Sequence, residues 1–235
     1  MTMTGQQKRL DRALHHAILY DDFAAASALL NQGADVNART RINGVNGTPL
    51  YWAAKEGQGA AAHVLMLLHH GADVNIQTHD GRGPLHFAAE RGDLALMQIL
   101  LDNGADVDLQ ENDGTAPLHL AVCVEQEVHY AAENGELVQG LATVQVLLDK
   151  GADINIKTRQ GATPLHVAID RGQGAMVQLL AKMGADVNSQ TNEGASPLHF
   201  AVTAENASAA LAQMLLDSGT VAALSPGPWT LDPKP

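Results

Sequence analysis

The stretch 78–110 shows the apolar pattern of the chain in its simplest form. Its first apolar cluster has helical spacing and consists of Leu85, Ala88 and Ala89. A second cluster recurs at i, i+3, i+6 and i+7 and consists of Leu94, Met97, Leu100 and Leu101. Pro84 suits the first position of a helix, Gly92 separates the clusters, and Gly104 suits a C-terminal cap. The pattern predicts two short helices joined by a tight turn.

This pattern recurs along the chain. A Pro-Leu pair begins the first helix at Pro49, Pro84, Pro117, Pro164 and Pro197, with spacings of 35, 33, 47 and 33 residues. A second marker, Gly-Ala-Asp-(Val/Ile)-(Asn/Asp), begins at Gly33, Gly71, Gly104, Gly151 and Gly184. Its acidic residues, fixed by the repeat, are expected to shape turns. Helices this short are marginal alone, so the period predicts stacked copies that stabilise one another.

The cleanest copy, Gly161–Ala168, reads GATPLHVA, and a Leu-Leu-x-x-Gly-Ala-Asp-Val-Asn segment completes the unit in other copies. Over residues 8–220 this pattern closely resembles the ankyrin repeat. The resemblance implies an all-α fold, an ankyrin-repeat solenoid of stacked helix–turn–helix units with short β-hairpin or loop connections. The implied single domain comprises a capping repeat at 1–39, repeats at 40–77, 78–110, 111–157 and 158–190, a C-terminal capping repeat at 191–222 and a Pro-rich tail at 223–235.

Two departures from the period give this chain its individuality. Extra residues at 43–47 predict a lengthened first hairpin. The interval from Pro117 to Pro164 exceeds the period by 14 residues (47 − 33). Helical spacing predicts a first helix extended through Val124, Val128 and Ala131, a turn at Gly135 and Gly140, and a second helix with Val144, Leu147 and Leu148. Two alternatives stay open for this insertion, a tolerated surface loop or part of a binding face.

Composition and charge narrow the classes of partner. Apolar residues make up 46% of the chain but aromatic residues only 3%, so the core is built from small and aliphatic side chains. The net charge is −12, from 14 basic and 26 acidic residues, which argues against binding nucleic acid or an anionic membrane surface. No apolar run approaches the ~20 residues of a membrane span, and we find no secretory signal. With Cys123 as the single cysteine, we expect a reducing, cytoplasmic setting.

Histidine is the most tempting residue for chemistry. The resemblance implies that the recurring histidines form hydrogen bonds within and between repeats; these are His86, His119, His166 and His199, with Tyr51 in one copy. His119 and Cys123 stand at i and i+4, so a metal-binding or enzymatic role with His129 stays open, although no further ligand has a fixed position. No catalytic triad, phosphate loop or His-Glu-x-x-His motif occurs, and we expect neither enzymatic activity nor a cofactor.

The resemblance implies a non-catalytic module that binds a protein partner on its concave face, as an adapter, scaffold or regulator. The alternative is an inhibitor or host-directed effector that blocks a partner enzyme. We expect a monomer. The candidate partner-binding residues are Arg39, Tyr51, Trp52, His79, Arg82, Arg91, Asn112, Asp113, Arg159, Asp170, Arg171 and Asn192. Arg82, Arg91, Arg159 and Arg171 are the expected anchors, since arginine is enriched at interface hot spots.

Overall fold

Short helices account for the regular structure, together with one hairpin, in the computed structural model, which describes residues 5–42, 45–56, 60–124, 139–203 and 209–219. The helices are α1 Gly5–Leu19, α2 Phe23–Asn31, α3 Pro49–Glu56, α4 Ala60–His69, α5 Pro84–Arg91, α6 Leu94–Asp102, α7 Pro117–Val122, α8 Gln139–Asp149, α9 Pro164–Asp170, α10 Gly174–Lys182, α11 Pro197–Thr203 and α12 Ala209–Asp217. In the part of the chain described, no helix combines the length and apolar content needed to cross a bilayer.

Proline and glycine set the helix boundaries, as the sequence predicts. The five helices α3, α5, α7, α9 and α11 begin at the five prolines of the Pro-Leu pairs. Helix α5 ends at Arg91 because Gly92 adopts the left-handed conformation, with φ 64°. Gly104 follows α6 with φ 85°, the conformation of a C-terminal cap. The all-α fold of paired helices is therefore confirmed.

The lengthened first loop forms a two-stranded antiparallel hairpin. Strand β1 is Thr40–Ile42 and strand β2 is Val45–Gly47, and Thr40 pairs with Gly47. This confirms the predicted hairpin, although residues 43 and 44 at its tip lie outside the described ranges.

The chain forms two compact units, Met1–Asn112 and Asp113–Pro235. In the first unit, α3 packs between α1 and α5, and α4 packs against α2 and α6. In the second unit, α9 packs between α7 and α11, and α10 packs against α12. Each first helix also packs on the second helix of its own repeat. Leucines fill the interior, and those that are fully buried include Leu14, Leu50, Leu67, Leu85, Leu100, Leu118, Leu147, Leu165 and Leu180.

Asparagine and aspartate side chains hold the turns that follow the second helices. Asn75 accepts a hydrogen bond at Oδ1 from the Asp106 N–H (2.8 Å) and donates from Nδ2 to the Gly104 carbonyl (3.2 Å). Asp73 closes its own turn, because its Oδ1 accepts from the Asn75 N–H at 3.0 Å. The same aspartate bond to the residue two positions on occurs at Asp35, Asp106, Asp153 and Asp186. The predicted role of these acidic residues in turns is confirmed.

The insertion differs from its predicted form. Helix α7 ends at Val122 and does not extend through Val124. The N–H groups of Cys123 and Val124 donate to carbonyls three residues back, those of Leu120 (2.8 Å) and Ala121 (3.3 Å). Such bonds belong to a tighter 3₁₀ turn, and the α-helix ends there. Val122, Cys123 and Val124 are β-branched residues and a cysteine, which have low helix propensity. The apolar spacing alone therefore did not predict where α7 ends.

The second helix of the inserted repeat begins earlier than predicted. Gly140 lies inside α8, not in a turn, and it is buried close to the Val124 carbonyl. Val144 and Leu147 are fully buried, which confirms that they face the core. The predicted contributions of Val128, Ala131 and Gly135 fall outside the described residues.

Candidate partner-binding surface

The two aromatic candidates lie inside the first unit. Tyr51 is 6% exposed and Trp52 is 3% exposed, so the prediction that they contact a partner is wrong. Their rings meet edge to face at 4.9 Å, and the Tyr51 ring lies 5.3 Å from that of Phe87. The position of these two residues within the repeat could have predicted their burial. Tyr51 and Trp52 correspond in sequence to His86 and Phe87, which are also buried.

Arg82, one of the expected anchors, is held inside the first unit. Its guanidinium forms an ion pair with Glu90, and its Nε lies 3.4 Å from Glu111 Oε1. The guanidinium carbon also lies 4.4 Å from the centre of the Phe87 ring, a cation–π contact. Arg82 therefore links the loop before α5 to α5 itself and to the loop that follows. These contacts give it a structural role within the first unit.

Arg91, a second expected anchor, binds the preceding first helix. Its Nη1 donates to the Lys55 carbonyl at 3.0 Å and its Nη2 donates to the Ala54 carbonyl at 2.6 Å. These carbonyls lie at the C-terminal end of α3, where a cation is favourable. Arg91 thus joins α5 to α3, and the sequence could not show this because the partners are backbone atoms of another repeat.

The remaining candidates of the first unit lie on loop tips. The His79 side chain is exposed at the tip of the loop before α5. Asn112, 33 residues further on, donates from Nδ2 to the His79 carbonyl (2.8 Å) and from its backbone N–H to the Asp80 carbonyl (2.8 Å). Arg39, on the first loop, is exposed and donates from Nη2 to the Gln77 carbonyl at 3.0 Å. Each loop backbone is thus tied to the next loop along the unit.

The second unit repeats this loop geometry. Asn192 donates from Nδ2 to the Arg159 carbonyl at 2.7 Å, the same bond 33 residues apart. The Arg159 N–H donates to the Asp113 carbonyl at 2.7 Å. A Cβ on Gly161 would lie 2.8 Å from the Asn192 nitrogen, so only glycine lets the two loops approach this closely. The Arg159 side chain is exposed beyond this fixed backbone.

Three further candidates in the second unit are exposed. Asp170 and Arg171 stand at the C-terminal end of α9. Asp113 is exposed at the start of the unit, and its Oδ1 accepts a hydrogen bond from the Thr115 N–H at 2.9 Å. This bond lowers the pKa of the Asp113 carboxyl below its ordinary value, because it stabilises the ionised form.

The recurring histidines bond to the repeat that follows them. His166 Nδ1 accepts from the Thr163 N–H at 3.2 Å, and its Nε2 donates to the Ala195 carbonyl at 3.3 Å. His119 makes the equivalent bonds, accepting from the Ala116 N–H (3.2 Å) and donating to the Ala162 carbonyl (3.1 Å). The structural role that the sequence implied for these two residues is therefore confirmed.

These bonds leave His119 without a ring nitrogen to offer a metal. Among the described residues, no group of three or more His, Cys, Asp or Glu side chains could hold a metal ion. His129, named with His119 and Cys123 in the alternative metal-binding or enzymatic role, lies outside the described ranges.

We expect the stability of the fold to fall as the pH drops from 6.5 to about 4. Burial lowers the pKa of His166 from 6.5 to about 4, and it also lowers the pKa of His119. Between these values the unfolded chain binds a proton at His166 and the folded chain does not, so acid favours unfolding. Urea unfolding of the His166→Gln variant should show a weaker pH dependence in this window. His79→Gln, which alters an exposed imidazole, is the control, and an unchanged slope in His166→Gln would contradict the prediction.

Short helix pairs, tied loop to loop with exposed side chains at the loop tips, define a helical repeat solenoid of the protein-binding kind. The chain belongs to the ankyrin-repeat family. The family model described as Ankyrin repeats matches three times, over residues 3–78, 50–128 and 128–223. Ankyrin repeats are protein–protein interaction modules, and the family is generally non-catalytic.

Several curated proteins are similar over part of the chain. Ankyrin repeat domain-containing protein 40 of Mus musculus is 34% identical over 91 residues, which are 39% of this chain and 24% of that protein. Inversin of Mus musculus is 31% identical over 97 residues, 39% of this chain and 9% of that protein. ARF GTPase-activating protein Git of Drosophila melanogaster is 37% identical over 84 residues, 35% of this chain and 11% of that protein. The chain thus spans less than a quarter of the length of these relatives.

Proposed function

We propose that the chain binds a protein partner through the exposed side chains of its loop tips and first-helix ends, as an adapter, scaffold or regulator. In ankyrin-repeat arrays these positions belong to the concave face. In the first unit the surface comprises Arg39, His79 and Asn112. In the second unit it comprises Asp113, Arg159, Asp170, Arg171 and Asn192. The observation that carries the proposal is that these side chains are exposed on a backbone fixed by neighbouring repeats.

A fixed backbone supports binding because less conformational entropy is lost when the partner docks. The Asn112 and Asn192 amides hold the tips at His79 and Arg159 in the free protein. The side chains beyond these tips can therefore present different chemistry without changing the loops that carry them. This is the usual arrangement of recognition loops on a rigid scaffold.

The chemistry of the second-unit surface favours a partner with charges of both signs. Arg159 and Arg171 can each form bidentate bonds to a carboxylate, and Asp113 and Asp170 can accept from cations. A specific protein interface buries about 1,200–2,000 Å² in total, which requires residues of several repeats. We therefore expect the partner to contact more than one loop.

The test is capture of the partner by the immobilised full chain, followed by charge reversal on the proposed surface. We expect Arg159→Glu and Arg171→Glu each to weaken retention at least about tenfold, as loss of a hot-spot residue does. Lys182→Glu, an exposed change at the end of the second helix α10, is the matched control and should retain the partner. Equal capture by all three variants would reject this surface. If the partner is an enzyme that loses activity on binding, the chain acts as an inhibitor and not as an adapter.

A further inference from the structure

The turn between α1 and α2 has the same backbone as the turns of two later repeats. The Asp21 N–H donates to the carbonyl three residues back (3.3 Å), and the next N–H donates to the carbonyl five residues back (2.9 Å). The same two bonds occur at Gly92 and at Gly172, so these three residues are equivalent. Both glycines are left-handed, with φ 64° and 68°, and Asp21 is left-handed too, with φ 57°. The first turn thus carries a carboxylate where the later turns have no side chain.

The side chains at this turn also reverse the local charge. Tyr20 stands where the later turns carry Arg91 and Arg171. Among the described residues, Asp21 is the one non-glycine residue with a positive φ. That conformation costs an aspartate free energy that glycine does not lose, and residues kept in such conformations cluster at functional sites. The first turn therefore exchanges a cation for an aromatic ring and adds an anion.

Two aromatic side chains lie exposed at this turn. Tyr20 is 72% exposed and Phe23 is 46% exposed. Of the phenylalanine, tyrosine and tryptophan side chains that the structure describes, only these two are exposed. A histidine ring contacts each of them: the centre of the His16 ring lies 4.3 Å from that of Tyr20, and the centre of the His63 ring lies 5.5 Å from that of Phe23. The two aromatic rings are thus ordered before a partner binds, which lowers the entropy cost of docking.

The two aspartates of the turn can still accept hydrogen bonds from an external cation. Asp21 Oδ1 lies 3.3 Å from Nδ1 of the buried His63, and Asp22 Oδ1 accepts from the Ala25 N–H at 2.9 Å. Within the described ranges, the Oδ2 atom of neither aspartate has a hydrogen-bond partner. Both side chains are exposed. A cation can therefore bind at Oδ2 without breaking the contacts that hold the turn.

No lysine or arginine of the adjoining sequence neutralises these carboxylates. The sequence contains neither residue from 13 to 38, and neither occurs in α4, which packs against α2. On α1, Arg12 is eight residues before Tyr20, about 12 Å away along the helix axis. On α3, which packs against α1, Lys55 lies over the Trp52 ring, 5.1 Å from its centre. The turn therefore combines negative charge with exposed aromatic faces, which together complement a guanidinium group.

We propose that this turn binds an arginine-bearing segment of a protein partner. The guanidinium stacks on the Tyr20 ring and donates to the carboxylates of Asp21 and Asp22, while Phe23 contacts an apolar residue beside the arginine. Arginine fits this site better than lysine because its planar group both stacks on a ring and pairs bidentately with a carboxylate. The site shares no residue with the loop-tip surface proposed above, and neither proposal depends on the other.

The test is a titration of the isotope-labelled full chain with the peptide acetyl-Leu-Arg-Gly-Arg-Leu-amide, followed by NMR. We expect saturable shifts at the backbone amides of residues 16–25 and of His63. The same peptide with lysine in place of both arginines should bind at least about threefold more weakly, because an ammonium group cannot stack and pair at once.

Two variants restore the residues of the later turns and are therefore compatible with the fold. Tyr20→Arg removes the ring, and Asp21→Gly removes a carboxylate. We expect each to weaken peptide binding at least about threefold, with cooperative urea unfolding retained. Asp102→Asn removes an exposed carboxylate at the C-terminal end of α6 and should bind the peptide as the unchanged chain does. Arg171→Glu, which alters the loop-tip surface, should also keep the peptide.

Four results would overturn the proposal. The first is the absence of shifts at residues 16–25. The second is equal binding of the lysine peptide or an equal loss in Asp102→Asn, which would show general attraction to an acidic chain. The third is undiminished binding by both turn variants. The fourth is a concentration-dependent dimer that shifts the same amides without peptide, which would show that a second copy of the chain covers the turn.

Discussion

Replacement of Gly161 by alanine is expected to lower the free energy of unfolding by at least about 3 kcal/mol. Two costs combine in this variant. Gly161 has φ 82°, a conformation that costs an L-amino acid about 1–2 kcal/mol. The added Cβ would also lie 2.8 Å from the Asn192 nitrogen, within a pair of loops that cannot separate without losing the hydrogen bond from Asn192 to Arg159. Close-packed backbone has little room to relax.

Gly184→Ala is the matched control for this prediction. Gly184 belongs to the same unit and has φ 95°, but in the described part of the chain no heavy atom beyond its two chain neighbours lies within 4 Å of where a Cβ would stand. In this variant the free energy of unfolding should therefore fall only by the cost of the left-handed backbone conformation, about 1–2 kcal/mol. Urea unfolding of both variants gives the comparison. Equal losses would mean that the contact between the loops does not require glycine.

Leu100→Ala is the second change with a large expected effect, a loss of about 2–5 kcal/mol. Leu100 is fully buried on α6, in the first unit. Truncation removes its apolar surface from the core and leaves a cavity between helices that already pack closely. Leu94→Ala changes the same residue type on the same helix, but Leu94 is 36% exposed, so we expect a loss below about 1 kcal/mol.

Chemical denaturation of the two leucine variants separates packing from helix propensity. Leucine to alanine slightly favours the helix at either position, so any loss reflects tertiary contacts. If Leu100→Ala cost less than about 1 kcal/mol, α6 would not be packed as the structure describes.

The helix boundaries were predictable because they depend on local chemistry. Proline at the first position of a helix and glycine after its last position each act within a single helical turn. Both can be recognised in the sequence without knowledge of distant contacts. The insertion was less predictable because its apolar spacing continues past Val122, where α7 ends. Spacing shows which residues could share a helical face, but it does not show where the hydrogen bonds to the fourth residue back cease.

The candidate surface was predictable only in part, and the reason differs between residues. Loop-tip residues such as His79 and Arg159 are exposed and lie in turns between helices, as their repeat phase predicts. Arg91 and Arg82 occupy the expected phases, yet each finds partners inside the first unit. Arg91 binds carbonyls 36 and 37 residues away, and Arg82 binds Glu90 and Glu111. A polar residue at a variable position can therefore be either a recognition residue or a link between repeats.

The tight exit of the chain from α7 has a practical consequence for protein engineering. Val122 at the end of α7 and Val144 in α8 are both fully buried. They keep these positions although this repeat is 14 residues longer than the period (47 − 33, from Pro117 to Pro164). The number of residues that connect α7 to α8 can therefore change without moving the buried residues of these two helices out of the core. Foreign sequence spliced in place of residues 125–138, such as an epitope or a reporter domain, would have its attachment points where the fold already accepts a change of length.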